Sequence, residues 1–138
     1  MPNRARQRGF SLIEALLVLA IIGIISGMAI PAYLGQRRRA RVVGDAMANA
    51  KVMAMMLESQ KADTGIYGAL GTYNWTSTGA VLSVLPAFSP SGNTKMSYSL
   101  NIVTSGLAYT ITAVDPSLPG SPIAYQTDQT GAQLARLQ

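Results

Sequence analysis

Apolar and polar positions along the chain follow three successive patterns, and each predicts a different element. From Ala15 to Gln36 no residue is charged, a run of 22 positions. At ~1.5 Å per residue this run makes a helix of roughly 33 Å, enough to cross a bilayer core. Glu14 stands directly before it. An isolated ionised carboxylate in hydrocarbon is costly, so Glu14 either lies at headgroup level or meets a positive partner. Farther on the period becomes helical and amphipathic. Val43, Ala46, Met47, Ala50, Ala54 and Leu57 recur at three- and four-residue steps, while Asp45, Asn49 and Glu58 fall largely outside that stripe. The helix is expected to end near Lys61–Gly65, where Ala62-Asp63-Thr64-Gly65 supplies breakers and a C-capping glycine.

From Met96 the period is two. Met96, Tyr98, Leu100 and Ile102 alternate with Ser97, Ser99 and Asn101, and Leu107, Tyr109, Ile111 and Ala113 alternate with Ala108, Thr110 and Thr112. Thr104-Ser105-Gly106 between them suits a three-residue hairpin loop. A weaker second hairpin is expected to turn at Gln129–Gly131. Residues 65–95 read as a long ordered connection, since Tyr67, Tyr73 and Trp75 need something to pack on. Asn74-Trp75-Thr76 within it is a formal glycosylation sequon of low weight. The order predicts the α+β class: a long N-terminal helix, apolar then amphipathic, packed on a C-terminal antiparallel sheet.

Composition sharpens this division. Hydrophobic residues make up 49% and charged residues 12% of 138, low in charge for a globular chain. The net charge of +5 is uneven. Arg4, Arg6 and Arg8 precede the apolar run, and Arg37, Arg38, Arg39 and Arg41 follow it. From Val42 onward basic and acidic residues nearly balance, so nucleic acid is not the favoured partner. The absence of cysteine excludes disulfides and thiolate chemistry, and histidine is absent too. The scattered acids form no metal-ligand pattern and no phosphate-binding glycine loop is seen. Neither enzyme activity, nor a metal, nor a cofactor is expected.

A short basic segment before an apolar run has the form of a secretory signal, but the helical pattern continues past Arg41, which favours a retained signal anchor. Gly9-Phe10-Ser11-Leu12-Ile13-Glu14, behind the basic leader and ahead of the apolar run with Pro31, closely resembles the N-terminal signature of type IV pilins and type II secretion pseudopilins. The strong resemblance covers residues 1–60. The C-terminal strands "YTITAVDP" and "YQTDQTG" resemble those of many type IV pilins less specifically. The resemblance implies cleavage by a prepilin peptidase between Gly9 and Phe10 and methylation of the new Phe10 N-terminus. It also implies a pairing of the Phe10 amine with Glu14 during assembly, at a membrane-embedded assembly platform.

On this reading residues 1–9 are a cleaved leader, 10–36 a transmembrane and filament-core helix, and 37–138 a head domain. Loss of the leader removes three arginines, taking the formal charge from +5 to +2. The implied function is a structural subunit of a type IV pilus or related filament, packed with other pilin subunits. A type II secretion pseudopilin and a minor DNA-uptake pilin are the alternatives. The implied location is the bacterial inner membrane, head domain outside, and then the cell-surface pilus. The positive-inside count, four arginines after the span against three before, leans the other way. Gly23 and Gly27 form a G-x-x-x-G spacing that lets helices approach closely, and Pro31 is expected to kink or open the helix near Gly27. The Arg37–Arg41 cluster is open to four readings: lipid contact, intersubunit salt bridges, DNA binding, or a solvated face.

Overall fold

A computed structural model describes residues 10–76, 83–92 and 96–137. The leader, Gly9 included, lies outside the described residues. One helix, α1 (Leu12–Thr64), precedes five strands: β1 (Gly71–Trp75), β2 (Ser97–Val103), β3 (Ala108–Val114), β4 (Ile123–Asp128) and β5 (Gln133–Arg136). The strands form one antiparallel meander in sequence order. The fold is α+β and pilin-like. The chain divides into two compact units, the second running from Arg38 to Gln138.

In the first unit α1 is apolar and exposed, with mean hydropathy reaching 2.5 over a window long enough to cross a membrane. The helix is unbroken through Gly27 and Pro31. The local opening expected near Gly27 is therefore absent. Pro31 forfeits the bond to the Gly27 carbonyl and its ring crowds that oxygen, yet the helix runs on continuously to either side.

In the second unit the amphipathic half of α1 covers one face of the sheet. Val42, Ala46, Ala50, Met53 and Leu57 share a core with Tyr98, Leu100, Ile102, Tyr109, Ile111 and Ala113. The register places Tyr98 opposite Ala113, Leu100 opposite Ile111 and Ile102 opposite Tyr109, so one pleat face is apolar and helix-facing. The other face carries Ser97, Ser99, Thr110 and Thr112, which are partly exposed. Replacing a fully buried core residue such as Leu57 by alanine typically costs about 2–5 kcal/mol.

The helix stops as expected. Gly65 adopts φ +84° and its N–H bonds the Lys61 carbonyl at 2.8 Å, an αL cap that a side chain would strain. Thr104, Ser105 and Gly106 all have positive φ in the β2–β3 connection. Only Gly106 is sterically compelled to lack a side chain, because a Cβ there would sit 2.5 Å from the Gly68 carbonyl oxygen. That close approach lets Tyr67 N–H bond the Gly106 carbonyl at 2.7 Å.

Two features depart from the pattern reading. Residues 71–75 form an edge strand, β1, paired with β2 through Tyr73–Leu100 and Trp75–Tyr98. Phe88 then meets Trp75 and Tyr98 edge-on, and Trp75 lies tilted against Tyr98, anchoring the connection that follows. Asn49, assigned to the polar side of the helix, is instead 2% exposed and central. Its amide donates to Tyr98 Oη at 2.7 Å and to the Ser91 carbonyl at 2.9 Å, and its Oδ1 accepts the Ser91 N–H at 2.9 Å. A buried amide with its hydrogen bonds made is tolerated in a core, and here it ties the long connection to helix and sheet.

Candidate assembly surface

The first half of α1 exposes a continuous apolar surface. Phe10 is 77% exposed, and Leu12, Ile13, Leu16, Leu17, Ile21, Ile24 and Ile25 are exposed with it. Apolar surface on this scale needs a lipid or protein cover. Gly23, Gly27 and Pro31 follow one another at four-residue steps, placing them along one helix face. A Cβ added at Gly23 or Gly27 would meet nothing within 4 Å, so no contact within the chain demands these glycines. Their notch is free for another helix to approach.

Glu14 lies in the first turn of this helix. The Ser11 carbonyl accepts the amides of Glu14 and Ala15 at 3.1 and 3.2 Å, which makes Ser11 the N-cap and Glu14 the third helical residue. Ser-x-x-Glu at these positions also has capping-box spacing, and a carboxylate there is favoured by the helix dipole. Glu14 thus has a local reason to be tolerated, which the sequence pattern alone did not single out. Phe10 precedes the helix. Its nitrogen belongs to the peptide bond with Gly9, so a free amine at Phe10 would require cleavage of that bond.

A second feature lies wholly within the Arg38–Gln138 unit. A cleft of about 300 Å³ opens between α1 and the β4–β5 hairpin, lined by Ala50, Lys51, Ala54 and Glu58 on the helix, Tyr109 and Tyr125 on the sheet, and the turn at Asp128–Gly131. That turn is preorganised. Asp128 Oδ1 accepts the Thr130 N–H at 2.9 Å, the Thr130 hydroxyl at 2.6 Å and the Ala132 N–H at 3.3 Å. The Thr130 hydroxyl bond leads the effects that lower the Asp128 pKa and keep it ionised. Burial pushes the Tyr109 phenol up to about 12, and the Glu58 carboxylate adds to the rise, with smaller contributions from Tyr67 and Asp128. Glu58 Oε1 also accepts the Tyr67 hydroxyl at 2.8 Å. None of this cleft was legible as a motif, because its parts come from distant stretches of chain.

At the start of the same unit Arg38 donates to Ser117 Oγ at 2.8 Å, and Ser117 in turn bonds Asp115 Oδ1 through both its N–H and its hydroxyl. Arg41 is exposed. Among the described residues no group of three or more acids or histidines could hold a metal ion.

An exposed apolar helical stretch and a helix-on-sheet unit give the chain a pilin-like build. Residues 4–30 match the family described as the prokaryotic N-terminal methylation motif. Fimbrial protein Q of Moraxella bovis is 40% identical over 63 residues, covering 43% of this chain and 40% of that protein. A type IV major pilin protein of Neisseria gonorrhoeae is 50% identical over 36 residues, 26% of this chain and 22% of its own length. A fimbrial protein of Moraxella nonliquefaciens is 53% identical over 36 residues, 26% of this chain and 23% of its own length. No solved structure matches significantly. The N-terminal motif, these relatives and the fold support membership of the type IV pilin family. The matched stretch spans 40% or less of each of these relatives.

Proposed function

We propose that this chain is a structural subunit of a type IV pilus or related filament, made as a prepilin and held in the membrane by the first half of α1 before assembly. The carrying observation is the prepilin motif at residues 4–30 joined to a helix whose apolar residues are exposed. Prepilin peptidase would cleave between Gly9 and Phe10, and the new Phe10 amine would be methylated. Residues 10–36 would then form the filament core, and 37–138 the head domain on the outer side of the membrane. Gly23 and Gly27 allow close helix approach, and the unbroken helix through Pro31 presents one continuous packing surface.

The hydrophobic effect favours both stages of this route. In the bilayer the apolar half of α1 is covered by lipid, and in the filament by the same half of neighbouring copies. Sheared surface fibres analysed by mass spectrometry test the proposal. The expected result is this chain in the fibres, beginning at a methylated Phe10. Mature protein beginning at Met1, or at a residue beyond the apolar run, would contradict it. Fibres that persist in a deletion strain that fails to release exoproteins would shift the assignment to a secretion pseudopilin.

A further inference from the structure

We propose that Arg37 and Arg41 together hold the phosphate of an anionic phospholipid while the chain is anchored in the membrane. The inference rests on the membrane stage of the proposed route and adds the lipid chemistry met at one end of the span. The four arginines that follow the apolar run are not equivalent. Arg38 donates to Ser117 Oγ, and Arg39 also interacts within the chain. Arg37 and Arg41 are exposed, and no hydrogen bond or ion pair joins either to another described residue. They stand four positions apart on α1, which is unbroken here, and so share one helix face. Like charges at that spacing destabilise a helix. Asp45, one turn beyond Arg41, packs its carboxylate against Gly92. An external anion would relieve the pair.

Position along the chain selects that anion. The uncharged run from Ala15 to Gln36 has 22 residues. At ~1.5 Å per residue it fills a hydrocarbon core of about 30 Å. With the run in that core, Arg37 is the first residue past it and Arg41 lies about 7.5 Å beyond its edge. The headgroup layer on each side is about 5–8 Å deep, so both guanidinium groups fall at phosphate level. Tyr33, one turn before Arg37 and 63% exposed, suits the same boundary, where a tyrosine keeps its ring in apolar surroundings and its hydroxyl wet. Each guanidinium can donate two parallel hydrogen bonds to a phosphate, and two of them a turn apart can close on one headgroup. Net charge then decides between lipids. A zwitterionic headgroup brings its own cation, whereas an anionic one offsets the pair.

The test uses the full-length chain and two variants that each lose two positive charges, Arg37→Gln with Arg41→Gln and Arg38→Gln with Arg39→Gln. All three are reconstituted in phosphatidylcholine vesicles with a trace of spin-labelled phosphatidylglycerol or spin-labelled phosphatidylcholine. Electron paramagnetic resonance reads the fraction of label held still beside the protein. Arg4, Arg6 and Arg8 are common to all three chains, so their effect cancels. The expected result is a several-fold preference for phosphatidylglycerol in the wild type, largely lost in the Arg37 and Arg41 variant and kept in the other. The same preference in all three chains overturns the proposal. An equal loss in both variants also overturns it, because bulk charge alone would then be at work. Retention of a DNA duplex on neutral vesicles through Arg37 and Arg41, without a lipid preference, would reassign the pair to nucleic acid. Wild-type chain that does not enter the vesicles removes the membrane reading and this inference with it, whereas inserted chain without the preference removes the inference alone.

Discussion

Asn49 joins three segments of the head unit that share no local sequence signal: α1, β2 through Tyr98, and the connection through Ser91. Asn49→Ala would leave the Tyr98 hydroxyl and the Ser91 backbone short of partners, at a cost of about 1–3 kcal/mol for the unsatisfied buried groups. Urea unfolding of the head unit should show that loss as a lower midpoint with an unchanged slope. The tyrosines give the unit an alkaline limit. Burial raises Tyr98 from 10.0 to about 12, with the Asn49 hydrogen bond working against the rise and Asp45 adding to it. Tyr109 rises equally far. A raised folded pKa means that the unfolded chain loses these protons first. Their contribution to stability is therefore complete below about pH 10 and is lost as the pH climbs toward about 12. The unfolding midpoint should fall over that interval, together with the rise of phenolate absorbance, and Tyr98→Phe with Tyr109→Phe should flatten the fall. A wild-type midpoint that is level across the interval would contradict this reading.

At the scale of elements, the amphipathic half of α1 and the sheet make a core that, among the described residues, draws on none before Arg38. A fragment beginning at Arg38 should accordingly be soluble and cooperatively folded, with mixed helix and strand signals in far-UV circular dichroism. A random-coil spectrum, in buffers where the full-length protein is folded, would count against the helix-on-sheet core. Most of these elements could be read from the sequence because their burial is periodic. β2 and β3 alternate strictly, and the α1 stripe repeats at three and four residues. β1 could not be read in this way. As an edge strand in a Gly-, Ser- and Thr-rich stretch, it has only Tyr73 and Trp75 partly buried, so no alternation stands out. Asn49 was misplaced for a different reason. Its type predicts exposure, and the partner that satisfies it lies 42 residues away. The cleft was equally hidden, since Glu58, Tyr109 and Asp128 meet only through the meander. The N-terminal motif was legible because its residues are contiguous.

Assembly belongs to the whole molecule, and there Glu14 carries the decisive test. On the proposed route insertion would depend on the 22 uncharged residues after it and would be eased by removing a charge from the membrane. Filament growth would ask something else, because in the proposed filament each incoming helix would bring a positive Phe10 amine into a packed apolar core. A neighbouring Glu14 would offset that charge and fix the axial register, since a slip of one helical turn, about 5.4 Å, separates the pair. Breaking a buried ion pair by removing one partner costs roughly 3–5 kcal/mol, because the other charge is left uncompensated. The capping position of Glu14 offers a competing explanation, in which its loss would weaken only the first helical turn, by roughly 0.3–1 kcal/mol. Glu14→Gln separates the two. It keeps a hydrogen-bonding side chain at the third helical position, and glutamine also serves in a capping box, but it removes the charge. Under the pairing mechanism both Glu14→Ala and Glu14→Gln should be cleaved and remain in the membrane, yet enter fibres poorly when either is the only copy present. Under capping alone Glu14→Gln would assemble nearly as well as wild type. Wild-type fibre yield from the Gln variant, measured against its membrane pool by immunoblotting, would therefore rule out the charge pair and leave the helix cap as the reason for this carboxylate.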